Sequence, residues 1–345
     1  MPAVPAARHG RIVRSAFRPH PLLRPAHLQT ILGSLARPLP RLTPTVERLD
    51  LPDGDFVDLA FVGGGTGPMV VLIHGLSGGF ESKYLRGTAR LLLERGFRCA
   101  IFQQRGAGPE PNRLPISYHQ GASQDLGEVL RLLRRREPET SLYAVGWSLG
   151  GNVLLKHLGE DGLQSPLSAA VAVSVPFLLH ECALRLRSGF PRVYQNAMLS
   201  ELKAGLRRKF EGKPHPPGLD LARGLGARDF IEYDNAVIAP LHGFKDALDY
   251  YARCGNRPFL RHIRRPTLIL HARDDPFMTP AILPEETELS PDVTLELSDR
   301  GGHVGFIAAD ARGWPYCWAE RHIADHLAAL AGLRPRAGTD VAATA

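Results

Sequence analysis

The run Met69-Val70-Val71-Leu72-Ile73 is apolar at every position, and this constrains the fold of the 345-residue chain more than any other short feature. A strand with one wet face alternates polar and apolar residues. A strand with no polar position has to be buried on both faces, as happens when helices cover the two sides of a parallel sheet. The flanking pattern agrees. Leu85 to Glu94 reads as an amphipathic helix, Phe97 to Phe102 as a strand, and Gly121 to Arg136 as a helix with Leu126, Val129, Leu130, Leu132 and Leu133 at helical spacing. A strand at Ser141 to Val145, a helix at Val153 to Leu158 and a strand at Ala169 to Val175 follow. This βαβαβαβ order predicts an α/β fold, a mostly parallel sheet with right-handed crossovers and helices on both faces.

The remainder attaches to that core. Residues 1–14 read as unstructured, and Phe17 to Pro40 as an arm with a short helix at Ala26 to Leu35. Thr45 to Leu51 and Asp55 to Val62 flank Pro52-Asp53-Gly54, whose Asp-Gly favours a hairpin, so they form an antiparallel edge pair. Between 177 and 262 the strands stop, and helical candidates (Ala197 to Phe210, Gly243 to Ala252) surround a Pro/Gly-rich loop at Gly212 to Gly218. Sheet order resumes at Pro266 to Leu270 and Val293 to Leu297, before a helix at Tyr316 to Leu330. The expected organisation is an N-terminal arm (1–44), a first core part (45–176), a helical lid insertion (177–262), a second core part (263–332) and a disordered tail (333–345).

Within this frame, Gly146-Trp147-Ser148-Leu149-Gly150-Gly151-Asn152 falls between a strand and a helix. Gly146 and Gly150 permit a turn sharp enough to hold Ser148 above the sheet, and the Leu149 N–H at the helix start faces any anion developing there. Alone, the pattern also fits an ordinary glycine-rich turn. A serine hydroxyl needs a base, and the base needs a carboxylate to fix its tautomer. His303, in the loop Gly301-Gly302-His303-Val304-Gly305 after the last core strand, is the candidate base; Asp275, in Asp274-Asp275-Pro276-Phe277 after the preceding strand, is the candidate acid, with Asp274 as the alternative. Their order, Ser then Asp then His on successive strand ends, is that of the α/β-hydrolases. After the Met69 strand, His74-Gly75-Leu76 offers a second oxyanion donor in the Leu76 N–H; Gly75 lets the backbone approach the acyl site, and His74 holds the loop.

Other chemistries find little purchase. The net charge of +7 is spread along the chain apart from a cluster at Arg131 to Arg136, with no basic segment interleaved with aromatics and no zinc-finger spacing, so no nucleic-acid partner is expected. Cys99, Cys182, Cys254 and Cys317 are far apart, and Met1 to Arg14 has no apolar core, which points to free thiols in a cytoplasmic protein. The longest apolar stretch, Ala169 to Leu179, falls short of a bilayer span, leaving at most peripheral membrane contact. His322 and His326 have metal-ligand spacing, but Ile323 stands where a zinc protease has Glu. His215 to Asp220 fits an acyltransferase-like His-x4-Asp pattern at chance level, and Gly63 to Gly67 lacks the Lys-Ser/Thr of a phosphate loop. No metal or organic cofactor is required, and the oligomeric state is left open.

The chain resembles the α/β-hydrolase superfamily and, within it, the YheT-like esterases of AB hydrolase family 4. The resemblance runs from about Phe17 to the last helix, through Pro25-Ala26-His27-Leu28-Gln29-Thr30-Ile31, His74-Gly75-Leu76-Ser77-Gly78, Arg105-Gly106, the Ser148 turn, Pro240-Leu241-His242-Gly243-Phe244, Asp274-Asp275-Pro276-Phe277 and Gly301 to Phe306. It implies an α/β-hydrolase fold with a helical lid, a triad of Ser148, Asp275 and His303, and carboxylic-ester hydrolysis with lipid or medium-chain acyl esters as substrates. Trp147 departs from the family's usual aromatic there. The expected function is a serine esterase acting on a small-molecule or lipid ester through an acyl-enzyme. The alternatives are an acyltransferase using the same residues and a non-catalytic lipid-binding protein of the same fold.

Overall fold

The computed structural model describes residues 8–35 and 37–333. Residues 1–7 of the segment expected to be unstructured, and the expected disordered tail beyond Leu333, lie outside them.

In chain order the elements are β1 (Arg11–Arg14), α1 (Ala26–Leu35), β2 (Thr45–Asp50), β3 (Phe56–Val62), β4 (Met69–Ile73), α2 (Lys83–Glu94), β5 (Arg98–Gln103), α3 (Ser123–Arg136), β6 (Leu142–Trp147), α4 (Leu149–Asp161) and β7 (Leu167–Val173). They continue with α5 (Leu179–Leu186), α6 (Pro191–Phe210), α7 (Leu221–Gly226), α8 (Phe230–Tyr233), α9 (Ala239–His242), α10 (Ala247–Cys254), β8 (Thr267–Ala272), β9 (Val293–Ser298), β10 (Ile307–Ala309), β11 (Pro315–Cys317) and α11 (Trp318–Leu330).

Nine strands form one sheet in the order β1-β9-β8-β7-β6-β4-β5-β3-β2. Within it β3 alone runs against its neighbours, β2 and β5; the other pairs are parallel. The apolar run at β4 finds its explanation here. Met69, Val71 and Ile73 pack with Leu126, Leu130, Leu154 and Leu158 of α3 and α4 on one face, while Val70 and Leu72 meet Leu85, Leu92, Ile323 and Leu327 of α2 and α11 on the other. Every position is buried because both faces are covered.

The sequence reading needs correction at the sheet's edge. Arg11–Arg14, expected to be unstructured, pairs in parallel with β9, Ile12 opposite Leu295. Its flanking arginines point to solvent and only two apolar residues lie between them, so there is no alternation to read. The adjoining Ser15 hydroxyl donates to Glu296 Oε1 at 2.6 Å and fastens the strand's end. The last helix begins at Trp318 rather than Tyr316, because Pro315–Cys317 pairs antiparallel with Ile307–Ala309.

Between β7 and β8 the chain is helical. These helices pack around their own apolar cluster, which includes Leu199, Leu206, Phe210, Val237 and Tyr250. The helix expected from Gly243 begins at Ala247: Gly243 closes α9 with a φ of 70°, and the Asp246 carboxylate caps α10 by accepting from the Asp249 N–H at 2.8 Å. Asp234–Ile238, between α8 and α9, is a π-helical turn.

Candidate active site

Strand β6 ends at Trp147 and α4 starts at Leu149, which leaves Ser148 alone to reverse the chain, with φ 50° and ψ −117°. Such a φ is rare outside glycine and marks a strained turn. The reversal requires its two glycines. A Cβ on Gly146 would lie 2.4 Å from the Gly150 carbonyl oxygen, and one on Gly150 would lie 2.4 Å from the Ile73 carbonyl oxygen. The Ser148 N–H donates to Val173 O at 2.9 Å, so the strained residue is tied back to β7.

Two later loops meet this turn. His303, between β9 and β10, places Nε2 at 3.1 Å from Ser148 Oγ. Its Nδ1 lies 2.8 Å from Asp275 Oδ2, on the loop after β8. With Nδ1–H donating to the carboxylate, Nε2 is left as an acceptor for the serine proton. Asp275 is nearly sealed from solvent, and its Oδ1 accepts from the Phe277 N–H at 2.9 Å. The Phe277 ring stacks on the imidazole, centroids 3.9 Å apart and planes 10° apart, covering one face. Asp274 does something else: its Oδ1 accepts from the Gly302 N–H at 3.0 Å, bracing the loop one residue before His303. Burial raises its pKa.

The loop after β4 approaches from the other side. A Cβ on Gly75 would come within 3.2 Å of Trp147 O and 3.3 Å of Ser148 Cβ, so this backbone is as close to the serine as glycine allows. The fully buried His74 shapes it. Its Nδ1–H donates to Gly75 O at 2.7 Å, and its Nε2 accepts from the Gln104 N–H at 3.1 Å. Burial pushes the His74 pKa down to about 4, so the ring stays neutral and keeps that acceptor. The Tyr84 hydroxyl accepts from the Gly75 N–H at 2.9 Å. Neither the Leu76 nor the Leu149 N–H has a protein acceptor among the described residues.

Comparison with known proteins places the chain in a family. The family described as "alpha/beta hydrolase fold" matches residues 68–310. The chain belongs to that family. This hydrolase is 41% identical over 305 residues to the Escherichia coli protein named "Putative esterase YheT", a match covering 87% of this chain and 89% of that one. It is 28% identical over 278 residues to a Saccharomyces cerevisiae protein named "Monoacylglycerol lipase", covering 78% of this chain and 62% of that one. Its fold is similar to that of the Pyrococcus furiosus esterase Pf2001, with a TM-score of 0.53 at 14% identity over 84% of this chain and 92% of that one.

The hydrolase also uses residues that carried no chemical role in the sequence reading. Thr30 on α1 accepts the His303 N–H at 2.9 Å through its hydroxyl, which itself donates to Ala26 O. The side chain of Gln29, fully buried, accepts the Ile307 N–H at 2.7 Å and donates to Ile307 O at 3.1 Å. Ser174, at φ 51°, accepts the Val304 N–H at 3.0 Å, and the buried Arg37 guanidinium donates to the carbonyls of Val304 and Gly305. Four side chains from outside therefore hold this backbone, three on the His303 loop and Gln29 on the first residue of β10. Two of them lie in the Pro25 to Ile31 segment, where polar residues inside an otherwise apolar helix were the available signal.

Above Ser148, a cavity of about 230 Å³ opens beneath α5, α6 and the π-helical turn. Leu76, Leu149 and Phe277 line it near the serine, with Leu186, Met198 and Val237 on the helical side. The other motifs are placed elsewhere. His322 Nε2 lies 2.8 Å from Glu296 Oε2 and stacks on Trp318, and among the described residues no group of three or more His, Cys, Asp or Glu side chains could hold a metal ion. His215 is exposed, Asp220 caps α7, and Gly63 to Gly67 is the loop between β3 and β4. Arg105 pairs with Asp53, Asp55 and Asp125, tying the β2–β3 hairpin to α3. No helix among the described residues is long and apolar enough to cross a membrane.

Proposed function

We propose that this α/β-hydrolase cleaves carboxylic esters, with Ser148 as nucleophile, His303 as general base and acid, and Asp275 as the carboxylate that orients and stabilises the imidazolium. Ser148 Oγ attacks the ester carbonyl as its proton passes to His303 Nε2. The carbonyl oxygen becomes an oxyanion that the Leu76 and Leu149 N–H groups stabilise, a contribution that reaches about 3–4 kcal/mol for one such donor in other hydrolases. Collapse expels the alcohol, which leaves with the proton from Nε2, and an acyl-serine remains. Water then repeats the sequence, giving up its proton to Nε2, and the acid departs as Ser148 recovers its hydrogen.

The observation that carries this reading is the chain of contacts from Ser148 Oγ through the His303 ring to Asp275, opening on a largely apolar cavity. That cavity favours an acyl group of short to medium length or a lipid-like ester, and helices α5 to α10 act as its lid. The name of the yeast relative, a monoacylglycerol lipase, points the same way.

The test is hydrolysis of a chain-length series of p-nitrophenyl esters, with labelling by a fluorophosphonate. Ser148→Ala should abolish both turnover and labelling while the circular dichroism spectrum stays unchanged. Hydrolysis that survives Ser148→Ala would overturn the proposal. Turnover in added alcohol shows whether the acyl-enzyme gives its acyl group to water or to another hydroxyl.

A further inference from the structure

The helical roof of the cavity carries a carboxyl group that ester hydrolysis does not use. Asp234 opens the π-helical turn and lines the cavity, yet the residue is only 8% exposed. Its Oδ2 accepts from the Tyr251 hydroxyl at 2.6 Å. Its Oδ1 has no protein partner among the described residues, and no Lys, Arg or His side chain there pairs with it. The site is built around this group. Pro240 has no N–H to return to the carbonyl of Ala236, Ala239 N–H reaches back to Asp234 O, and the turn widens where the carboxyl sits. Phe230, Tyr233, Tyr250 and Tyr251 line the same cavity.

Asp234 Oδ1 is open to the cavity, so a ligand that fills this space displaces its water, and a ligand that returns no donor leaves the oxygen unpaired at about 1–3 kcal/mol. A cavity serving plain alkyl chains would do better with an apolar residue at this position, because an alkyl chain gives the oxygen nothing to accept. Burial also raises the Asp234 pKa, to about 7, as expected for a group waiting for a partner in a low-dielectric space. We propose that Asp234 determines specificity by accepting a hydrogen bond from a donor, a hydroxyl or an ammonium group, on the part of the ester that enters beneath the lid. Aromatic side chains in the same cavity lining are compatible with either donor, a cation included. The inference rests on the cavity being the ester-binding site.

Binding to the Ser148→Ala protein tests it without requiring turnover. Calorimetry compares methyl hexanoate with methyl ω-hydroxyhexanoate, and hexyl acetate with ω-hydroxyhexyl acetate, so the donor is placed first on the acyl and then on the alcohol side. The ω-ammonio analogues distinguish a cation from a hydroxyl. In at least one pair the donor-bearing ester should bind roughly 10- to 100-fold tighter, the range for a hydrogen bond to a charged group. Adding Asp234→Leu should erase that preference. Asp234→Asn, which can still accept a hydrogen bond, should keep the preference for the hydroxyl and lose that for the ammonium. Equal binding within both pairs, or a preference that survives Asp234→Leu, would overturn the inference. Turnover of the same esters by the wild-type protein is scored separately: a binding preference with no turnover leaves Asp234's role standing and removes the hydrolase reading.

Discussion

Thr30→Val would test whether a helix far from the core strands sets the position of the base. The Thr30 hydroxyl is the acceptor for the His303 backbone N–H, and both residues are buried. Valine keeps the shape and removes the acceptor, leaving a buried N–H unpaired at about 1–3 kcal/mol. If the loop stays where it is, the whole penalty appears as lost stability, a fall in Tm of about 1–4 °C for a chain of this size. If the loop shifts to find another partner, His303 moves with it. At 3.1 Å from Ser148 Oγ its Nε2 has little slack, and a displacement of about 1 Å can lower kcat about 100-fold. The expected outcome is a 10- to 100-fold fall in kcat on a p-nitrophenyl ester, with KM nearly unchanged because Thr30 is not among the cavity's lining residues. Thr30→Ser, which restores the hydroxyl, should recover most of the rate. Steady-state kinetics and thermal melts on the three proteins decide. An unchanged kcat in Thr30→Val with a lowered Tm would reduce Thr30 to a structural contact and refute the positioning argument.

Asp275→Asn should lower kcat by about 10⁴, because an amide presents the wrong partner to Nδ1, whereas Asp274→Asn keeps an acceptor for the Gly302 N–H and should lose less than about 10-fold; the reverse ranking in esterase assays would exchange the two aspartates. Gly75→Ala puts a methyl group 3.2 Å from Trp147 O and 3.3 Å from Ser148 Cβ, and the oxyanion loop has to retreat. It should lower kcat roughly 10- to 100-fold with little change in melting temperature, and wild-type kinetics would count against the Leu76 assignment. His74 ties stability to pH. Its folded pKa of about 4 lies below the ordinary 6.5, so the unfolded chain binds the extra proton first; the stability it contributes is complete above pH 6.5 and is lost as pH falls towards 4. From pH 7 to pH 5 that loss is about 2 kcal/mol, and urea midpoints for His74→Asn should fall less over this interval than those of the wild type.

How much of this was legible in the sequence depended on how local each signal was. The β4 run and the amphipathic patterns of α2 and α3 reflect burial that a residue's immediate neighbours already report, and the structure reproduces those elements within a few residues. Ser148 and His303 could be nominated because each sits in a glycine-rich turn at a strand end. The choice between Asp274 and Asp275 could not be read from adjacency: both follow β8, and only the direction each carboxyl takes, one to Gly302 N and one to His303 Nδ1, distinguishes them. Arg37 and Ser174 were invisible for the same reason, and Thr30 showed only as a polar residue in an apolar helix, with nothing to say what it binds. Their partners are 130 or more residues away and are backbone groups, which leave no trace in residue identity. The four-residue β1 was missed because an edge strand with two exposed arginines has too few buried positions to establish a period.

The backbone itself marks the site. Among the described residues, five other than glycine have positive φ: Ser77, Ser148, Ser174, Val304 and Phe306. All five lie on the three loops that meet at the candidate nucleophile or on Ser174, which holds one of them, and for Val304, a β-branched residue, a φ of 57° is a genuine outlier. Such conformations each raise the energy by about 1–3 kcal/mol and persist only where the surroundings leave no alternative. The surroundings can be named. Ser148 N–H is bound to Val173 O, Ser174 N–H to Leu270 O, Ser77 N–H to the Tyr118 hydroxyl, Val304 N–H to the Ser174 hydroxyl and Phe306 N–H to Gly301 O. Each strained residue thus has a hydrogen bond whose loss would let it relax, and a relaxed Val304 would carry the neighbouring imidazole away from Ser148. The large two-faced core of the sheet supplies the stability against which this local strain is held, which is why the strain concentrates where three strand ends converge and not along the strands.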